Sequence, residues 1–185
     1  MMGSGTQAVY GTVGYPGITI GYLRGLSDTL DAGGRFSLNY GGEGVPQATA
    51  FGIKLAGDFK LKLDIGLPYP LVLRALPGIN LYFPTGFTIF NIALPVGLDV
   101  GIPVAPNVLV NAGVQVPWAI GFWSLGFTSM QIPFLFGGGV ELKTDSRLSL
   151  HAQVHLGPYV GIVFGGLSQT FVAFDTLLGV TYRLP

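Results

Sequence analysis

From Phe51 to Leu63 the chain reads F-G-I-K-L-A-G-D-F-K-L-K-L, with Phe51, Ile53, Leu55, Phe59, Leu61 and Leu63 on one parity and Lys54, Asp58, Lys60 and Lys62 on the other. A period of two places successive side chains on opposite faces of a β-strand. The same alternation recurs along the chain. Phe36, Leu38 and Tyr40 oppose Arg35, Ser37 and Asn39; Phe90, Ile92, Leu94, Val96, Leu98 and Val100 oppose Asn91, Ala93, Pro95, Gly97, Asp99 and Gly101. Leu148, Leu150, Ala152, Val154 and Leu156 oppose Ser149, His151, Gln153, His155 and Gly157. In the last segment Val172, Phe174, Leu178, Val180 and Tyr182 oppose Ala173, Asp175, Gly179, Thr181 and Arg183, with Phe171 and Leu177 breaking the polar parity.

Helix has one competing claim. No charged residue occurs between Val100 and Val140, a stretch long enough for a spanning helix. Yet Pro103, Pro106, Pro117 and Pro133 interrupt it, each interior proline costing a helix about 3 kcal/mol, and Val108, Val110, Ala112, Val114 and Val116 alternate with Asn111, Gly113 and Gln115. Alternation decides for strand. The pattern predicts ten strands, near 7–14, 17–27, 33–43, 49–63, 70–83, 87–102, 107–123, 131–143, 147–163 and 170–184, with eight or twelve as the alternatives. An even number puts both ends of an up-and-down barrel on one side.

Which face is inside follows from the polar one. A soluble barrel also alternates, but soluble domains carry about 25% charged residues, and this chain has 10% with a mean hydropathy of +0.57. Its polar parity is mostly Gly, Ala, Asn, Gln, Ser and Pro, which suits a confined interior. The other parity is a near-continuous band of Leu, Val, Ile and Phe, far more apolar surface than a soluble monomer exposes. The chain therefore predicts an all-β, antiparallel, up-and-down transmembrane β-barrel. A soluble or peripheral lipid-binding β-barrel is the second reading.

At 185 residues the whole chain, 1–185, fits one barrel domain, and residues 1–6 are expected to be disordered or left over from expression. Nine basic and nine acidic residues give a formal net charge of zero, so no broad field attracts nucleic acid, and none is expected as a partner. The absence of cysteine removes disulfides, thiolate nucleophiles and Cys-based metal sites. The opening M-M-G-S-G-T-Q lacks a basic and then apolar leader; the expectation is a mature form of a bacterial outer-membrane protein without its signal peptide.

The two ends differ in chemistry. One set of turns holds Asp28, Asp31, Asp64, Pro106-Asn107 and Asp145-Ser146, with Arg35, Lys60, Lys62, Lys143, Arg147 and Arg183 close by; this short, charged end is expected to face the periplasm. The opposite connections, Gly42 to Ala48, Pro84 to Gly86, Ser124 to Met130 and Phe164 to Gln169, carry a single charge, Glu43. Aromatic residues crowd that end as an interfacial girdle would. The apolar character of its loops singles out Trp123, Leu125, Phe127, Met130, Phe164 and Leu167 as a rim for a protein partner or lipid.

A charge on the lipid face at mid-depth costs about 2–4 kcal/mol for Arg or Lys. The expected lumen set is therefore Lys54, Asp58, Arg74, Asp99, Asn111, Gln115, Glu141, His151, Gln153, His155, Asp175 and Arg183. A regular hairpin about Gly66 would set Asp58 opposite Arg74, and one about Ser146 would set Glu141 opposite His151. Long side chains meeting across the interior favour a closed or very narrow path for small solutes or ions. Ser149, His151 and His155 with Glu141 or Asp175 form the one catalytic-looking constellation, but hydrogen bonding inside the barrel explains them as well. No enzyme, cofactor or metal is expected.

The alternating segments, the short charged turns and the terminal F-V-A-F-D-T-L-L-G-V-T-Y-R-L-P resemble the small outer-membrane β-barrel proteins of Gram-negative bacteria. In that class the last strand usually ends in an aromatic residue that signals assembly; here Tyr182 is followed by Leu184 and Pro185. The resemblance implies a porin-like or structural barrel embedded in membrane lipid. The functional expectation is an anchoring or structural component or a narrow passive pore, with a membrane-embedded lipid-modifying enzyme as a further alternative.

Overall fold

The computed structural model describes residues 2–41, 50–166 and 168–185. Among them every regular element is a β-strand. Ten strands run up and down: β1 (Gln7–Tyr15), β2 (Gly17–Gly25), β3 (Leu30–Asn39), β4 (Phe51–Leu63), β5 (Leu71–Ala75 and Gly78–Phe83), β6 (Ile89–Ala93 and Val96–Ala105), β7 (Val108–Val116 and Ala119–Trp123), β8 (Thr128–Pro133 and Leu135–Lys143), β9 (Leu148–Val163) and β10 (Ser168–Arg183). Each pairs antiparallel with its chain neighbours, and β1 pairs with β10 from Ala8↔Arg183 to Tyr15↔Thr176. The sheet closes on itself, so no strand edge is left unpaired.

The four divided strands break near prolines. Pro77, Pro95, Pro117 and Pro133 offer no N–H, yet the register is the same on both sides of each break: Ala75↔Val96 continues as Gly78↔Ala93, and Gln115↔Leu135 as Ala119↔Gln131. Their carbonyls still serve the ladder, Pro77 accepting from Gly57 N and Pro95 from Leu76 N, each at 2.8 Å. Pro95, Pro117 and Pro133 occupy one line across three adjoining strands. The turns at Gly66, Gly86, Gly126 and Gly165 carry positive φ, which only glycine adopts without strain.

The outward parity is apolar and open. Ile20, Leu55, Val172 and Leu178 each expose 60% or more of their surface, while buried positions of the other parity include Lys54, Asp58, Asn80, Asn91 and His155. A soluble lipid-binding barrel would be built the other way round, so that reading gives way. Apolar residues facing outward all round the wall require lipid as their solvent. Among the described residues no helix is long and apolar enough to cross a membrane, which says nothing of crossing by strands.

Several strand starts differ from expectation. β8 begins at Thr128 and β3 at Leu30, because turns of four residues suffice where the periodicity left longer gaps. Residues 2–6 fold back on the barrel: Met2 N donates to the Asp31 carboxylate at 3.2 and 3.3 Å, and Gly5 N to Gly25 O.

Candidate functional site

Inward apolar positions follow one another in register from β5 to β10, Leu76, Pro95, Pro117, Pro133, Tyr159 and Phe171, the first three also lining an internal cavity. Tyr159 stacks on Phe171 with ring centroids 4.2 Å apart, and Leu135, Tyr159 and Ala173 are 2%, 5% and 0% exposed. Phe171 and Leu177, which break the polar parity of the last strand, are thus inward residues, one packed against Tyr159 and the other lining both internal cavities.

The polar side chains of the lumen centre on Asp58. Tyr10 Oη donates to Asp58 Oδ2 at 2.6 Å, and Arg74 grips the same carboxylate through Nε (3.2 Å) and Nη2 (2.8 Å). The Tyr10 ring reaches in because its register partner is Gly21, where an added Cβ would come within 2.3 Å of the ring. The hairpin of β4 and β5 is not centred on Gly66. Asp58 lies opposite Leu76 and Arg74 opposite Lys60, so the pair forms on the diagonal, which a long arginine spans. Glu141 does lie opposite His151.

Around this centre His155 Nδ1 is 2.8 Å from Asp175 Oδ1, and Gln115 Nε2 is 3.2 Å from His155 Nε2. An amide nitrogen can only donate, so His155 Nε2 accepts and its proton sits on Nδ1, given to Asp175. Thr19 and Ser37 hydroxyls meet at 2.7 Å, and Asn39 Nδ2 donates to Tyr82 Oη at 2.9 Å. A cavity of about 120 Å³ is lined by Lys54, Arg74, Gln115, Gln153, His155 and Asp175. A second, of about 280 Å³ and nearer the charged end, is lined by Arg74, Asn111, Glu141, His151, Gln153 and Arg183. Asp99 is on the same face, its carboxylate occupying the room that Gly113 leaves. Tyr10, Arg35, Lys60 and Lys143 also line these spaces; their parity was legible in the alternation, but nothing in it ranked them above their neighbours.

The Ser149, His151, His155 constellation is spread along β9. Ser149 and His155 are six residues apart, about 20 Å of extended strand, and among the described residues neither histidine is hydrogen-bonded to a hydroxyl. At the other end Leu125, Phe127 and Phe164 are exposed. Trp123 is held within the chain, stacked on Phe87 at 5.1 Å and donating Nε1–H to Ser129 Oγ at 3.0 Å. Met130 is a strand residue paired with Ile120 and Ile162, and Leu167 lies outside the described residues, as do Gly42 to Ala48.

No family model and no curated protein matches this chain. Among solved structures it is similar to the outer-membrane protease OmpT from Escherichia coli, at 10% identity and a TM-score of 0.51, covering 98% of this chain and 94% of that one. Two further barrels match at lower TM-scores. One, from work on the de novo design of transmembrane β-barrels, has 15% identity and a TM-score of 0.38, with 98% and 97% of the two chains covered. The other, OmpT of Vibrio cholerae, an outer membrane protein, has 14% identity and a TM-score of 0.39 over 91% of this chain and 55% of that one. The protease corrects one expectation. Its barrel carries an enzyme, so the barrel fold and a lumen of hydrogen-bonded polar residues give no ground for reading this chain as non-catalytic. By fold, the chain is a small β-barrel of the outer-membrane type.

Proposed function

We propose that this chain is a bacterial outer-membrane barrel, acting as one domain over 1–185, that serves as a structural or anchoring component with a filled lumen. The observation that carries this reading is the buried cluster of Leu135, Tyr159 and Ala173 with Phe171 packed against it, beside a cavity that long inward side chains, Lys54, Arg74, Gln153 and His155, narrow to about 120 Å³. The lumen polar set then acts as the barrel's hydrophilic core, held by charge-assisted bonds at Asp58 and Asp175. The exposed Leu125, Phe127 and Phe164 support the uncharged rim as the side where a protein partner or lipid is met, and the charged turns support the opposite end as periplasmic.

The test is ion conductance across a planar bilayer after reconstitution, with heat-modifiable gel mobility reporting that the barrel is folded. Folded insertion without discrete conductance steps is the expected outcome. Stable steps would overturn it in favour of a narrow passive pore, a reading supported by the two cavities, which share Thr12, Thr19, Arg35 and Arg74 in their walls.

A further inference from the structure

The cavity of about 280 Å³ at the charged end has an unbalanced wall. Five cationic side chains line it, Arg35, Lys60, Arg74, Lys143 and Arg183, against two carboxylates, Asp31 and Glu141. Counting Asp58, which holds Arg74, and the inward Asp99, whose charge acts on Arg74 and Lys60, five positive charges face four negative ones, an excess of one in a chain whose formal net charge is zero. Two of those carboxylates are already engaged, Asp58 by Tyr10 and Arg74 and Asp31 by the backbone N–H of Met2.

The cations are also set against one another. Lys60 and Arg74 are direct register partners on β4 and β5 with both side chains inward, an arrangement of like charges that costs stability. Among the described residues no carboxylate lies within ion-pairing distance of Lys60, Lys143 or Arg183. Neutral donors complete the wall: Ser149, Thr181 and Asn111. Concentrated cations with converging donors in a partly enclosed space of low dielectric attract and hold an anion more strongly than the same groups would in water.

We propose that this cavity, on the charged side of the lumen, is a binding site for a small oxyanion of the phosphate type. The volume admits a phosphate group, whether free or at the tip of a lipid headgroup. Lys60, Lys143 and Arg183 supply the charge, and Arg74, fixed by Asp58, supplies a rigid donor. Glu141 opposes the ligand and limits its affinity.

The experiment titrates inorganic phosphate into the full chain, refolded in an uncharged maltoside detergent at low ionic strength, by calorimetry. Saturable one-site binding is expected, weakened about tenfold or more in Lys60→Gln and in Arg183→Gln and tightened several-fold in Glu141→Gln. The opposite signs separate a binding role from general loss of structure, and gel mobility confirms that each variant is folded. Absence of saturable binding, or equal affinity in Arg183→Gln and Glu141→Gln, would overturn the proposal whatever the conductance experiment gives. Repeating the titration in vesicles with and without an anionic phospholipid assigns the source: competition by the lipid identifies a headgroup, and equal affinity in both identifies the free anion.

Discussion

Asp58 shows how much one inward carboxylate organises. It is fully buried, and it satisfies Tyr10 from β1 and Arg74 from β5, tying two distant strands through the lumen. Removing one partner of such a pair leaves the other uncompensated. Asp58→Asn is therefore expected to destabilise the barrel by about 3 kcal/mol, read as a lower urea midpoint for unfolding from lipid vesicles, and Asp58→Asn with Arg74→Met should recover part of the loss. At the turn between β8 and β9, Asp145 accepts from the backbone N–H groups of Arg147 (2.6 Å) and Leu148 (2.7 Å), which hold its carboxyl below the ordinary range. A group whose proton affinity falls on folding stabilises the fold where it is ionised and ceases to do so as pH drops through its folded-state pKa. The protection factor of the Leu148 amide, its exchange rate relative to that of a free amide at the same pH, is thus expected to be high at neutral pH and to fall on acidification, whereas Asp145→Asn should flatten that pH dependence.

Along a strand, the alternation itself makes the sharpest prediction. Leu177 and Leu178 are neighbours of identical chemistry, yet Leu178 is 61% exposed on the outer wall and Leu177 lines both cavities. Leu178→Arg places a charge in lipid and should cost about 2–4 kcal/mol, seen as loss of folded insertion. Leu177→Asn should insert normally. The strand pattern was legible because a wall with lipid on one side and a confined interior on the other imposes a strict period of two. Boundaries were less so, since hairpin turns as short as Pro16 or Ser124–Phe127 leave little compositional trace. The Asp58–Arg74 meeting survived an error of two residues in register because a shift of two preserves the face, while Glu141 and His151 met as expected because the turn about Ser146 is symmetric.

For the molecule as a whole, the extent to which inward side chains such as Tyr159 and Phe171 fill the lumen decides behaviour. Replacing Tyr159 and Phe171 together by glycine removes two stacked rings from the constriction, and the variant is expected to conduct in planar bilayers where the parent does not; silence from a folded double variant would place the block elsewhere. The sequence by itself determined the all-β barrel class, the alternation that sets the facing of most strand residues and the lipid environment, with ten strands preferred to eight or twelve, because these depend on local periodicity and on a composition too apolar for water. Only the tertiary structure decided that Phe171 and Tyr159 stack, that Asp58 is shared by Tyr10 and Arg74, and that five cations converge on one cavity. Those contacts join residues up to dozens of positions apart, and the closure and shear of the barrel, which no single strand encodes, set which inward side chains reach each other.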